Sequence, residues 1–250
     1  MRAQHLVLHA CCTPCTIKSY ERLAAGRAVT RAGEPVSADR ITLVYYNPNI
    51  APAEEYARRR DALVAYCAEQ GIEAVELEYD PPSWEEATAA DQQIPGRCRQ
   101  CYALRLGRVA RWAAAHGADA LTTTLTISPY QLSDLIAQEG VRAVRETASG
   151  SDVGRDAPGA PLPAAALTPI ASAPSLRYLD IDFSPDYRAS QNAARAAGIY
   201  VQNYCGCLPS RREAEAQRAA RKAARKRTSA GHADPGAPSV PTKESLPDAH

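Results

Sequence analysis

Seven of the eight cysteines in this 250-residue chain fall into three tight groups: Cys11-Cys12-Thr13-Pro14-Cys15, Cys98-Arg99-Gln100-Cys101 and Cys205-Gly206-Cys207. Groups this dense point to a metal or redox centre rather than a structural disulfide framework. They also constrain the fold, because a centre built from all three needs a topology that carries distant segments to one place. The N-terminus opens on a strand-like segment, His5-Leu6-Val7-Leu8-His9, without the charged and apolar regions of a signal peptide. No apolar run approaches the roughly 18 residues a membrane span needs. The expectation is a cytoplasmic protein with no membrane partner, in a compartment that keeps thiols reduced.

Strand-like and helical segments alternate. Strands are predicted at residues 5–9, 41–46, 73–79 and 118–124. Helices are predicted at 16–26, with Thr13 as N-cap and Pro14 in the first turn, at 52–70, at 100–116, and from Ser128-Pro129 onward. Gly71 and Gly117 stand where helix C-caps belong. The order βαβαβαβα predicts an α/β protein with a Rossmann-like parallel sheet flanked by helices. One domain over residues 1–210 is expected. Residues 147–175, rich in Gly, Ala, Pro, Ser and Asp, interrupt the pattern as an exposed, flexible insertion. Ordered sequence resumes at 176–183, with a helix near 187–197. A basic helix is expected at 211–227 and a disordered tail at 228–250.

Cys11 and Cys12 follow the first strand and precede a helix, at the carboxyl end of a parallel strand where such folds place their sites. Inside a strand, adjacent side chains point to opposite faces; a turn just past its end can aim both at one centre. The helix N-terminus beyond favours thiolates. Cys98 and Cys101 have chelating spacing at another helix start, and Cys12-Thr13-Pro14-Cys15 is itself a C-x-x-C. Four chemistries fit in part. Zinc suits both C-x-x-C pairs but leaves Cys11 and the third group without a role. A thioredoxin-like motif at 12–15 leaves Cys98 and Cys101 unexplained. Unconnected buried thiols do not account for three clusters. An iron–sulfur cluster held by two of the groups accounts for most of them. Cys67, in an Ala-rich helical run, suits the core.

A disulfide between Cys205 and Cys207 closes a very small ring, and strained disulfides are usually catalytic or regulatory. Gly206 gives that backbone its freedom. Metal ligation by one or both is the rival reading. The Tyr46-Asn47-Pro48-Asn49-Ile50 loop ends the second strand, where its amides can read a polar ligand or simply turn the chain. Thr122-Thr123-Thr124 with Ser128 puts hydroxyls at a strand end. Net charge is +1, so no global basic field exists. Basic residues are local: Arg58-Arg59-Arg60, then Arg97, Arg99, Arg105, Arg108 and Arg111, and finally the 211–227 helix. The last carries eight Lys or Arg against Glu213 and Glu215, which suggests a polyanionic partner such as RNA. Neither a dinucleotide fingerprint nor a Walker A loop is present.

Six segments, in order, resemble one known family. They are Leu8-His9-Ala10-Cys11-Cys12-Thr13-Pro14-Cys15, Tyr46-Asn47-Pro48-Asn49-Ile50, Glu55-Tyr56 with Arg59, Arg97-Cys98-Arg99-Gln100-Cys101-Tyr102, Thr122-Thr123-Thr124-Leu125 with Ser128-Pro129-Tyr130, and Tyr204-Cys205-Gly206-Cys207. Together they resemble the QueH-type epoxyqueuosine reductases. The resemblance implies cobalamin-independent reduction of epoxyqueuosine to queuosine at the tRNA wobble position. It implies a 4Fe–4S cluster held by Cys11, Cys12, Cys98 and Cys101, an additional iron to which Cys15 contributes, and a redox-active Cys205/Cys207 pair. The partners implied are tRNA and an unidentified electron donor. Two rivals are a zinc-stabilised RNA-binding protein and an iron–sulfur tRNA sulfur-transfer enzyme. The latter carries an S-G-G-x-D-S loop where this chain has His9-Ala10-Cys11-Cys12.

Overall fold

The structure is a computed structural model that describes residues 1–149, 160–161 and 175–230. Most of the expected 147–175 insertion and nearly all of the 228–250 tail lie outside the described residues.

The chain runs β1 (Arg2–Ala10), α1 (Thr13–Ala24), β2 (Ala28–Val29), β3 (Pro35–Tyr45), α2 (Ala53–Gln70), β4 (Ala74–Glu76), α3 (Pro81–Thr88), α4 (Gly96–Ala115), β5 (Ala120–Thr123), α5 (Ser133–Ala148), β6 (Ala160–Pro161), β7 (Arg177–Tyr178), α6 (Tyr187–Ala196) and α7 (Leu208–Ala230). Short 3₁₀ turns occupy Thr124–Ile127 and Ser184–Asp186. The sheet order is β6-β4-β3-β1-β5-β7, with β2 paired to β3. Pairings among β4, β3, β1, β5 and β7 are all parallel; β6 and β2 join antiparallel. The expected parallel α/β sheet is therefore present.

β1 is the central strand, and its sequence explains why. Leu6, Val7, Leu8 and Ala10 are all fully buried, as a strand covered on both faces requires. Their alternation feeds two cores. Leu6, Leu8 and Ala10 pack with Leu23 of α1 and Leu63 of α2, while Val7 packs with Leu106, Val109 and Trp112 of α4 and Ile136 of α5. From β1 the chain winds outward through β3 and β4, then returns to the other side at β5. The order thus reverses at β1, which makes the loop after Ala10 the switch-point position where open α/β sheets bind ligands.

Several boundaries differ from expectation for identifiable reasons. Cys12, not Thr13, is the N-cap of α1: its backbone is extended, and its carbonyl accepts from Cys15 N at 3.2 Å and Thr16 N at 3.1 Å. The helix expected at Ser128 begins at Ser133. Ser128 instead closes a turn, its carbonyl accepting from Gln131 N at 3.1 Å and its hydroxyl from Tyr130 N at 3.3 Å. The third strand is cut to Ala74–Glu76 because Pro81-Pro82 start α3, capped by Asp80 accepting from Ser83 N at 3.2 Å. Gly71 adopts φ +63 at the end of α2, as its position predicted.

Two compact units divide the chain, Met1–Leu208 and Pro209–His250. The described part of the second continues α7, a helix with an exposed Arg211–Glu215 pair at 3.0 Å. Among the described residues no helix is long and apolar enough to cross a membrane.

Candidate functional site

Cys11 and Cys12 leave the central strand and enter α1, so the turn that ends β1 delivers both thiols to one side. Their Sγ atoms are 3.9 Å apart. One helical turn on, Cys15 brings a third thiol, and the three Sγ atoms lie within 4.8 Å of one another. Three soft donors at this separation form a group that can hold a metal ion. Cys98 and Cys101 are not members of that compact trio. Both rise from the start of α4. Cys101 packs with Trp84 of α3 and with Cys207, while Cys98 and Cys11 border the core beneath α4. No disulfide joins any of the eight cysteines, Cys205 and Cys207 included.

Arg105 ties these groups together. It is 1% exposed, its Nη1 lies 3.9 Å from Cys101 Sγ, and its Nη2 donates to Asn47 Oδ1. Burial opposes its charge, and Cys101, Cys205 and Cys11 are the groups that favour it. An isolated buried cation is costly unless anions face it. Here the facing groups are sulfurs: Arg105 favours the thiolate form, in which cysteine binds metals, at Cys11, Cys101 and Cys205, while burial still holds Cys101 and Cys205 above the ordinary thiol range.

The thiols of the trio are unequal. Hydrogen bonds from Cys12, Cys15 and Thr124, with Arg105 facing it, hold the Cys11 thiol well below its ordinary range despite burial. Burial and the bond given to Cys11 push Cys12 up, and bonds to Cys11 and Cys12 push Cys15 up. Thr124 also accepts from Cys11 N at 3.0 Å. Gln202 Nε2 lies 2.7 Å from Cys12 Sγ. The expected hydroxyl run at 122–124 is thus partly explained: Thr124 serves Cys11, whereas Thr122 donates to the Leu179 carbonyl at 2.8 Å.

The third cysteine group is held against the Asn47–Ile50 loop. Ala51 N donates to Gly206 O at 3.0 Å, and Arg59 Nη1 donates to Cys205 O at 3.0 Å. Arg59 is buried, pairs with Glu55 at 2.7 Å and lies 4.8 Å from the centre of the Tyr204 ring. Gly206 has φ +146, where glycine is nearly obligatory, and a Cβ there would meet Asn49 Nδ2 and Ile50 Cγ1 at 2.9 Å. Asn47 is spent on structure rather than left for a ligand, since its Nδ2 donates to Ala10 O at 3.0 Å. Gln131 Nε2 lies 3.4 Å from the Sγ of Cys205, an exposed residue whose thiol is turned inward enough for burial to push it up.

His9 is structural too. Its Nε2 donates to Tyr46 O at 3.2 Å, leaving Nδ1 to accept from Thr123 at 2.8 Å; burial, reinforced by Arg105, pushes its pKa down to about 3. Cys67 sits in the core, as its context predicted. A cleft of about 510 Å³ lies at the opposite end of β1, lined by Arg2, Gln4, Asp39, Asp119 and Arg177; Arg2 pairs there with Asp39 and Arg177 with Asp119.

The chain matches the family described as Epoxyqueuosine reductase QueH over residues 6–152 and 164–213. It belongs to the QueH family. Every cysteine of the three groups falls inside the matched range, and most of α7 falls outside it. The chain is similar to the Epoxyqueuosine reductase QueH of Dehalococcoides mccartyi, 29% identical over 212 residues that cover 84% of this chain and 94% of that protein. It is 24% identical over 216 residues to that of Acinetobacter baylyi, covering 84% of this chain and 82% of that one. With that of Streptococcus pyogenes serotype M1 it shares 28% over 214 residues, covering 81% and 69%.

Gln131 and Gln202 carried no sequence signal for their contacts with Cys205 and Cys12. Arg105 did carry one, since four residues after Cys101 on a helix is the same face.

Proposed function

We propose that this protein reduces epoxyqueuosine in tRNA to queuosine, in the cytoplasm. The observation that carries the reading is the gathering of cysteines from all three groups around the buried Arg105, in a chain of the QueH family. Removing the epoxide oxygen as water takes two electrons and two protons. Two thiols closing to a disulfide release that number of each, so a Cys205/Cys207 dithiol balances the reaction, and an external donor must then re-reduce the pair.

The donor set fits a thiolate-bound iron centre: buried and half-buried sulfurs, a compact trio and a buried cation with no carboxylate partner among the described residues. We assign the 4Fe–4S cluster to Cys11, Cys12, Cys98 and Cys101, with Cys15 available to an additional iron. When bound, such a centre supplies single electrons, and an iron with an open position supplies a Lewis acid. The chain's own residues do the rest. Arg105 compensates negative charge, Thr124 and Gln202 orient Cys11 and Cys12, and Arg59 with the Asn47–Ile50 loop fixes the Cys205–Cys207 backbone. The basic α7 suits the phosphates of an RNA partner.

Anaerobic purification with iron, sulfide and zinc quantified, followed by turnover of epoxyqueuosine-containing tRNA with a chemical reductant, tests this. Iron and sulfide with queuosine formed is the expected result. Zinc without sulfide or turnover overturns it. Cys205→Ser with the iron centre intact isolates the thiol pair: undiminished multiple turnover removes it from the mechanism.

A further inference from the structure

Tyr130 is the most exposed of the large apolar and aromatic side chains described, at 81%. It is not at a loose end of chain. The turn that carries it is fixed by Ser128 before it and by Tyr102 after it. Tyr102 Oη donates to Gln131 Oε1 at 2.7 Å and accepts from Leu132 N at 3.3 Å. The other end of the Gln131 amide lies 3.4 Å from Cys205 Sγ. This ring therefore belongs to the residue directly before the one whose side chain lies against the Cys205 thiol. On the other side, Tyr187 at the start of α6 meets Tyr130 edge to face, with ring centroids 6.3 Å apart at 81°. Tyr187 packs against the core cluster that contains Cys12 and Cys15. The two rings thus link the rim of the Cys205 group to that of the first cysteine group.

An aromatic face left in water on an anchored turn is a binding surface already organised, with little ordering cost left at association. Unstacked bases of single-stranded RNA loops bind such faces, because every base offers a flat π surface. We propose that Tyr130, buttressed by Tyr187, is a stacking platform for a nucleobase of the substrate's anticodon loop. The proposal rests on the reading of the site as one that acts on a tRNA wobble base. A platform acts through binding, so it affects capture of the RNA rather than the reduction itself. It uses the ring face and not the hydroxyl, so Phe and Trp replace Tyr.

The test compares full-length, iron-loaded wild type with Tyr130→Ala, Tyr130→Phe and Tyr130→Trp. Steady-state turnover of epoxyqueuosine-bearing tRNA is measured beside fluorescence-anisotropy binding of the tRNA anticodon stem-loop. The expected result is a KM and a Kd raised about 10-fold in the Ala variant, with kcat, iron content and far-ultraviolet dichroism unchanged. The Phe and Trp variants stay near wild type. An unchanged KM and Kd in Tyr130→Ala overturns the platform, and so does a fall in kcat at constant KM. If wild type itself neither binds nor turns over the RNA, the functional reading falls with it. An active wild type and an unaffected Ala variant sink the platform alone.

Discussion

Arg105 Nη1 lies 3.9 Å from the Cys101 Sγ that precedes it by one helical turn, while Nη2 of the same guanidinium donates to Asn47. Among the described residues no carboxylate pairs with it. Arg105→Met removes a cation that favours the thiolates of Cys11, Cys101 and Cys205 and leaves the buried Asn47 Oδ1 without its donor, at about 1–3 kcal/mol. The expected outcome is lower iron content after anaerobic purification, and a lower midpoint potential in whatever iron centre is retained. Arg105→Lys should recover iron content in part, because it restores the charge but not the fork. Iron analysis and a redox titration of the three proteins check this.

Gly206→Ala should disable the third cysteine group. The φ of +146 is strained for any side chain, and the new methyl would meet Asn49 and Ile50 at 2.9 Å. A loss of about 1–3 kcal/mol in stability is expected, with a larger loss of turnover because Cys205 and Cys207 move with the backbone. Denaturant unfolding alongside activity measures both, and wild-type values in the variant would count against the geometry described.

Cysteine accessibility should divide sharply in the metal-free protein. Burial pushes the thiols of Cys67 and Cys205 alike up to about 12, so acidity does not separate them; access does, since Cys205 is an exposed residue and Cys67 a buried one. Prolonged treatment with iodoacetamide is expected to label Cys205 ahead of Cys67, which stays unmodified until the chain is denatured, as mass spectrometry of the peptides reads directly. Cys67→Ala should cost about 1 kcal/mol of stability and leave turnover intact.

Stability should decline in mild acid through the buried histidines, and His5 carries a share that can be isolated. This ring is 6% exposed and bonds Thr42 at 2.8 Å. Burial, helped by Arg40, lowers its pKa from the ordinary 6.5, against the opposing pull of Glu73 and Asp119. The native state therefore binds a proton less readily than the unfolded chain. The stabilisation is fully present above about 6.5 and is lost as pH falls below it toward the depressed native value. Unfolding midpoints measured from pH 7.5 to pH 5 should fall, and His5→Asn should make the slope shallower, the remainder belonging to His9, whose native pKa is also depressed. A wild-type slope in the variant would assign the pH dependence elsewhere.

Local sequence determined much of this protein. The apolar stretch Leu6-Val7-Leu8 reads as a strand and is one, buried on both faces, and Gly71 after an eighteen-residue helix can adopt the left-handed conformation that ends it. The cysteine spacing likewise announced a metal or redox centre, because C-x-x-C pairs at helix starts aim thiols together whatever the rest of the chain does. Local signals also misled where two start codes competed: Ser128-Pro129 reads as a helix start, yet Ser128 closes a turn and the helix waits for Ser133.

Tertiary structure alone decided what surrounds those thiols. Nothing near Gln202 in sequence relates it to Cys12, from which it is separated by 190 positions, and nothing near Gln131 relates it to Cys205. Arg59 reaches the Cys205 carbonyl only because α2 lies beside the loop after β3. The parallel sheet sets these meetings, since its strands end side by side while the residues that follow them are far apart along the chain. Spacing specifies which donors a segment offers. Only the packing of β1 between β3 and β5 decides which of them face one another and which buried cation they share.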